Sequence, residues 1–226
     1  VALFYWTWHI YDLPPGSQVN NNTEILRKNP EAILDYNHPA WNNPGRYYWE
    51  QPLFGYYKTT DPWVLRKHAE MLADAGVDAV FFDCTNLTLT WKESYDVLME
   101  VWDQAQKDGV NVPKIAFMLP FASPEYGTPQ LHMLYEDIYK PGRYPNLWFI
   151  WKGKPCIMAQ PEYLSDSKED QEIAEFFTFR PGQSDYVDGP KRNDQWGWME
   201  IYPQNGYAPL PNGGFEQTVV SVAQNA

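Results

Sequence analysis

The chain has 226 residues, with 29 Asp and Glu against 17 Lys and Arg and a formal net charge of -12. That balance, without a basic run, excludes a protein that tracks nucleic-acid phosphates; no apolar stretch is long enough to cross a bilayer; and two cysteines, Cys84 and Cys156, cannot build a disulfide framework or a cysteine-based zinc site. Aromatic residues make up 17% of the chain, many of them beside turn residues, and rings with a polar tip suit a half-wet cleft that takes a neutral partner.

The length suits a single domain over residues 1–226, since no polar Gly/Ser-rich linker divides it. The first predicted strand, residues 2–8, opens into a long Pro/Asn/Gly-rich excursion over residues 10–60 with a short helical piece at 23–28. Excursions of that length are functional or disordered, and this one, carrying Trp41, Tyr47, Tyr48, Trp49, Phe54, Tyr56 and Tyr57, is too aromatic for disorder. Residues 55–86 are the most informative stretch. Thr60 and Asp61 suit an N-cap, Pro62 the first helical position and Gly76 the stop. Between them Val64, Leu65, His68, Met71, Leu72 and Ala75 recur at helical spacing, and the apolar run 77–82 that follows reads as a strand buried on both faces, ending at Asp83.

A second helix is predicted over 91–107 and a third strand over 114–119. A third helix is expected over 129–139 behind a Thr128 cap, then a bent fourth strand over 148–158 that turns at Gly153. A short acidic helix at 167–175 precedes strands at 176–180, 196–202 and 218–222, seven in all. Strands alternating with helices predict an α/β fold, a (β/α)₈ TIM-type barrel that is incomplete or irregular in its last units. The alternative, an open doubly wound sheet, lacks a Gly-rich phosphate loop after its first strand.

In parallel barrels the C-terminal ends of strands carry the chemistry, so Asp83 leads the candidates. Its bland alternative is a loop carboxylate paired with an Arg. Asn86 can donate to a sugar hydroxyl or serve as a turn residue; with Thr88, and likewise Asn21 with Thr23, it also matches the glycosylation acceptor pattern. Strand alternation places Trp196, Trp198, Glu200 and Tyr202 on one face, a carboxyl among rings whose desolvation favours a general acid. Arg180 holds either a substrate hydroxyl or a carboxylate, Asp83 or Glu200. Trp6, Trp8, His9 and Asp12 close the first strand, where His9 is a substrate contact or a satisfied core histidine. His68, on an apolar stripe, is structural. His38 and His132 have no ligand-spaced partners, so no metal site and no cofactor is expected. Carboxylates, amides and aromatic faces at several strand ends are the inventory of carbohydrate chemistry, in which two carboxyls about 5 to 9.5 Å apart act across a glycosidic bond.

The segments Pro52-Leu53-Phe54-Gly55-Tyr56-Tyr57, Asp61-Pro62-Trp63-Val64 and residues 68–83, with Ala75-Gly76-Val77-Asp78, resemble glycoside hydrolases of the endo-α-mannosidase-like family 99 and the α-1,3-glucanase family 71. The resemblance covers roughly the first half of the chain; residues 198–204 and 219–224 resemble bacterial family-99-like barrels. It implies a barrel that hydrolyses a polysaccharide or glycan, in an extracellular or periplasmic setting. Trp198-Met199-Glu200 matches only the first three positions of the family's Trp-x-Glu-Trp-x-Glu run, and Pro203 stands where the second Glu belongs. The family's catalytic pair is therefore not carried onto these residues, and the resemblance places it beyond Ala226. The expectation is a glycoside hydrolase with Asp83 and Glu200 lining the cleft and Trp6, Trp8, His9, Asn86, Arg180, Trp198, Tyr202 and Gln204 contacting sugar. A non-catalytic carbohydrate-binding barrel, or an inactive part of an enzyme, is the rival.

Overall fold

A computed structural model describes residues 1–9, 19–182, 189–200 and 204–220. Its strands, in chain order, are β1 (Ala2–Tyr5), β2 (Asn20–Asn21), β3 (Tyr47–Tyr48), β4 (Ala79–Asp83), β5 (Lys114–Met118), β6 (Ile150–Trp151), β7 (Lys154–Met158), β8 (Thr178–Phe179), β9 (Gly206–Pro209) and β10 (Phe215–Thr218). The helices are α1 (Asn22–Lys28), α2 (Pro62–Asp74), α3 (Lys92–Lys107), α4 (Pro124–Leu134) and α5 (Lys168–Phe176).

The organising feature is a sheet in which β1, β4, β5, β7 and β8 lie side by side, all parallel and in chain order. A parallel bridge from Gly182 to Trp196 continues that direction by one more position. The order progresses along the chain without the central reversal of a doubly wound sheet. Among the described residues β1 pairs with β4 alone, so these strands do not close a ring.

Strand alternation separates two cores. Val80, Phe82, Cys84, Ile115, Phe117, Leu119 and Ile157 point to the helices and pack with Leu65, Leu98, Met99, Trp102 and Leu134. Ala79, Phe81, Ala116, Met118, Cys156 and Met158 point the other way and pack with Trp196, Tyr207 and Val219. The near-continuous apolar character of residues 77–82 follows from burial on both faces.

Helix α2 has the ends its sequence predicts. Asp61 accepts from the Trp63 and Val64 amides at 2.9 and 3.2 Å, while Val77 N–H donates to Leu72 and Gly76 N–H to Ala73, the paired closing bonds of a left-handed glycine stop. Gly76, at φ +71, meets nothing that a side chain would strike, so its backbone angle is what selects glycine. The excursion docks on this helix: Phe54 meets Trp63 edge-on at 5.1 Å, and the His68 ring nitrogens face the Tyr5 and Tyr57 hydroxyls at 2.7 and 3.4 Å. His68 is thus a structural histidine. Burial lowers its pKa, and burial likewise raises that of Tyr57.

Four expectations are corrected. The third helix begins at Pro124, not Pro129: Ser123-Pro124 starts it, Pro129 lies inside, and the chain leaves through a wide turn in which Lys140 N–H reaches back to Tyr135. The first strand stops at Tyr5. No strand forms over 196–200, because the backbone of Gly197 exchanges both of its hydrogen bonds with the side-chain amide of Gln217, at 2.8 and 2.7 Å. A glutamine stands in for a neighbouring strand. The last expected strand, 218–222, runs past Val220 outside the described residues; within them the strand is β10, ending at Thr218, antiparallel to β9 in a hairpin that seats Tyr207 in the inner core, and its sequence signal is Pro211-Asn212-Gly213-Gly214, with Gly213 at φ +83. No helix among the described residues is long and apolar enough to cross a membrane.

Candidate functional site

The C-terminal ends of the parallel strands form a rim, built from the outward continuations of β1, β4, β5 and β8. On β1 the run Trp6-Thr7-Trp8-His9 follows the last strand residue. Thr59 and Ser94 hold it from beneath: both hydroxyls donate to the Thr7 carbonyl, at 3.0 and 2.7 Å, and Thr59 N–H donates to the His9 carbonyl at 2.8 Å. The rings above form a chain, Trp6 to Trp8 at 5.7 Å and Trp8 to Trp91 at 6.4 Å, with Trp6 58% exposed. An indole face of that size turned to water is a surface for an apolar ring or a sugar's C–H face.

Asp83 is the last residue of β4, in register with Met118, and is 4% exposed. The Thr85 amide and hydroxyl both donate to Oδ1, at 3.0 and 2.8 Å, and Trp8 Nε1 donates to the Asp83 carbonyl at 3.1 Å. Among the described residues no group donates to Oδ2. Thr85 opens onto a pocket of about 300 Å³ walled by Pro120, Phe121, Tyr126 and Trp198. Trp198 lines it, edge-on to Phe4 at 6.0 Å and 6.1 Å from Phe121. Trp6, Trp8, Asp83 and Trp198 are therefore brought to one rim, and Asn86 lies exposed on the loop that follows Asp83.

The other predicted residues sit elsewhere. His9 turns toward the excursion, 6.0 Å from the Tyr48 ring; burial and then the Arg46 charge lower its pKa. Glu200 is 3% exposed: Asn205 N–H and Nδ2 donate to it at 2.8 and 2.9 Å, and the buried Tyr207 hydroxyl donates to Oε1. The carboxyl expected among rings thus accepts hydrogen bonds from Asn205 and Tyr207. Tyr202 lies outside the described residues; Gln204 is half-buried just after them.

Arg180 is paired with neither Asp83 nor Glu200. Its Nε and Nη2 fork onto Glu216 at 2.7 and 3.0 Å, and Nη1 donates to the Phe179 carbonyl at 2.7 Å. Glu216 is the charged residue that strand alternation alone did not single out, since it sits on a hairpin arm. Lys152 at 2.5 Å and the indole N–H groups of Trp151 and Trp196 at 3.3 and 3.2 Å complete its shell. Burial pushes the Glu216 carboxyl up, but the hydrogen bonds from Arg180 and Lys152 and the Arg180 charge outweigh it and hold it at about 2. This knot ties β8 to β10 and borders an inner cavity of about 590 Å³ lined by Phe4, Phe81, Phe149, Trp151 and Trp196.

The loop from Cys84 to Trp91 carries backbone strain. Leu87 and Trp91 adopt φ of +57 and +58, a region that costs bulky residues about 1–3 kcal/mol each. Among the described residues no cluster of His, Cys, Asp or Glu is arranged to hold a metal ion.

No protein-family model and no curated protein matches the chain. Among solved structures it is similar to the GH99 endo-alpha-mannosidase from Bacteroides thetaiotaomicron, in a complex with bis-tris-propane (15% identity, 80% of this chain and 52% of that one, TM-score 0.47). A second structure described as the GH99 endo-alpha-mannosidase from that organism is similar at 15% identity, over 80% of this chain and 60% of that one, with a TM-score of 0.44. The chain spans about half to three-fifths of the length of those chains.

Proposed function

We propose that this protein binds a neutral carbohydrate at the rim of its parallel sheet and acts as a glycoside hydrolase, with the sugar laid on Trp6 and Trp8 and reaching toward Trp198. The observation that carries the reading is Asp83: one oxygen is fixed by Thr85, no described group donates to the other, and the residue stands at a strand's C-terminal end between an indole platform and an aromatic pocket. A carboxylate oriented through one oxygen is prepared to act through the other. In glycosidic cleavage that action is proton transfer or nucleophilic attack at the anomeric carbon, with a second carboxyl supplying the complementary role. Glu200 is the partner proposed from sequence, and the exposed Asn86, on the loop after Asp83, is the proposed contact for a hydroxyl.

One observation favours the rival, a barrel that binds sugar without cleaving it. Among the described residues, Asn205 and Tyr207 donate to the Glu200 carboxyl, which would have to leave them to serve a substrate. Turnover of soluble mannan and glucan by Asp83→Asn and Glu200→Gln separates the two. Loss of at least 100-fold in both variants supports the hydrolase with this pair. Loss in Asp83→Asn alone moves the second carboxyl elsewhere. Binding without turnover by the unmutated chain supports the rival, and turnover unchanged in both variants contradicts the site.

A further inference from the structure

Helix α4 reaches into the rim through one side chain. Gln130 is fully buried, and its Nε2 faces three backbone carbonyls of the strained loop, Cys84 at 2.8 Å, Leu87 at 2.7 Å and Leu89 at 3.4 Å. The loop's other ties lie at its two ends or within it: Cys84 N–H donates to the Met118 carbonyl, Thr85 donates to Asp83, Cys84 Sγ lies 3.6 Å from the Thr90 carbonyl, Leu89 N–H donates to Asn86, and the Trp91 carbonyl accepts from Ser94 and Tyr95; from outside the loop only Gln130 reaches the Leu87 and Leu89 carbonyls among the described residues. Both positive-φ residues, Leu87 and Trp91, lie within or just beyond the stretch that Gln130 gathers. Strained residues persist only where their surroundings over-determine them. A single amide drawing together carbonyls five residues apart is such a constraint.

What the strain accomplishes is visible at the loop's end. Trp91, turned by its left-handed backbone, places its ring 6.4 Å from Trp8 at a 31° tilt, and the turn at Asn86 to Thr88 stays exposed beside Asp83. We propose that Gln130 is a positioning residue for the rim. By gathering the Cys84, Leu87 and Leu89 carbonyls it holds loop 84–91 in the form that backs Trp8 with Trp91, and so fixes the platform on which a pyranose ring stacks. The second half of this statement rests on the carbohydrate reading above. The first half stands on geometry alone.

Gln130→Met keeps the side chain's length and removes the donor. Two readouts are taken on it, on Trp91→Ala and on the double variant: affinity for soluble mannan and glucan, and the Trp8–Trp91 exciton signal in circular dichroism, defined as wild type minus Trp91→Ala. The expected result is about tenfold weaker binding in Gln130→Met, an exciton signal abolished while the far-ultraviolet spectrum is kept, and no further loss when the change is made in Trp91→Ala. A folded Gln130→Met with unchanged signal overturns the proposal, as does an equal tenfold loss in the Trp91→Ala background, which marks a general loosening. If Gln130→Met does not fold, hydrogen exchange of residues 84–91 in the wild type decides: protection at least tenfold above that of the exposed turn at residues 36–37 supports it, and equal exchange overturns it. If the wild type binds neither polysaccharide, the carbohydrate reading fails while the exciton and exchange results still decide the role of Gln130.

Discussion

At the scale of single residues, the Arg180 to Glu216 pair dominates. Both side chains are under a tenth exposed, at 8% and 4%, and a buried carboxylate stripped of its guanidinium is strongly unfavourable. Arg180→Met is expected to lower stability in urea by about 3–5 kcal/mol. Because the folded pKa of Glu216, about 2, lies below its ordinary value of 4.5, its contribution is fully present above that ordinary value and is lost as pH falls through about 2. Stability measured from pH 5 downward should therefore decline, and Glu216→Gln should flatten the part of that decline owed to this group. Gly182 gives a second test. A Cβ there would come 2.0 Å from the Phe121 ring, so Gly182→Ala must displace the wall of the rim pocket. The expected cost is about 1–3 kcal/mol, read as a fall in the urea midpoint.

At the scale of elements, what was legible depended on whether the determinants were local. Helix α2 was readable because its cap, its first-turn proline and its glycine stop are written within sixteen residues, 61–76. Asp61→Ala is expected to cost about 1 kcal/mol by thermal or urea denaturation, as a lost N-cap does. Strands β4 and β5 were readable from apolar runs that only double-sided burial explains. The α4 start was misread because two proline signals compete over residues 123–129 and the sequence does not rank them. The segment 196–200 failed for a different reason: its alternating sequence does not become alternating burial, since Trp196 and Gly197 are both buried, and Gln217, twenty residues away, takes the hydrogen bonds a strand would have made. Asp83 was legible because its place depends on the strand it ends. The roles of Arg180 and Glu216 were not, because a hairpin arm supplies the partner, and strand counting does not register a carboxylate arriving from outside the parallel sheet.

For the whole molecule, the parallel strands in chain order and the two-sided core give an α/β architecture with a parallel sheet whose C-terminal rim gathers Trp6, Trp8, Asp83, Trp198 and the Gln130-held loop. The inner knot around Glu216 and the helix-side core hold that rim in place, so ligand binding and stability should separate by position: Trp8→Ala should weaken binding with a small effect on the urea midpoint, and Arg180→Met the reverse. The central claim is that the rim is a carbohydrate-binding surface. Titration calorimetry of the wild type and Trp8→Ala with soluble mannan and glucan tests it directly. Saturable binding by the wild type, weakened about tenfold, or about 1.4 kcal/mol, in Trp8→Ala, is the predicted result; no binding by the folded wild type, or identical binding by both, would contradict it.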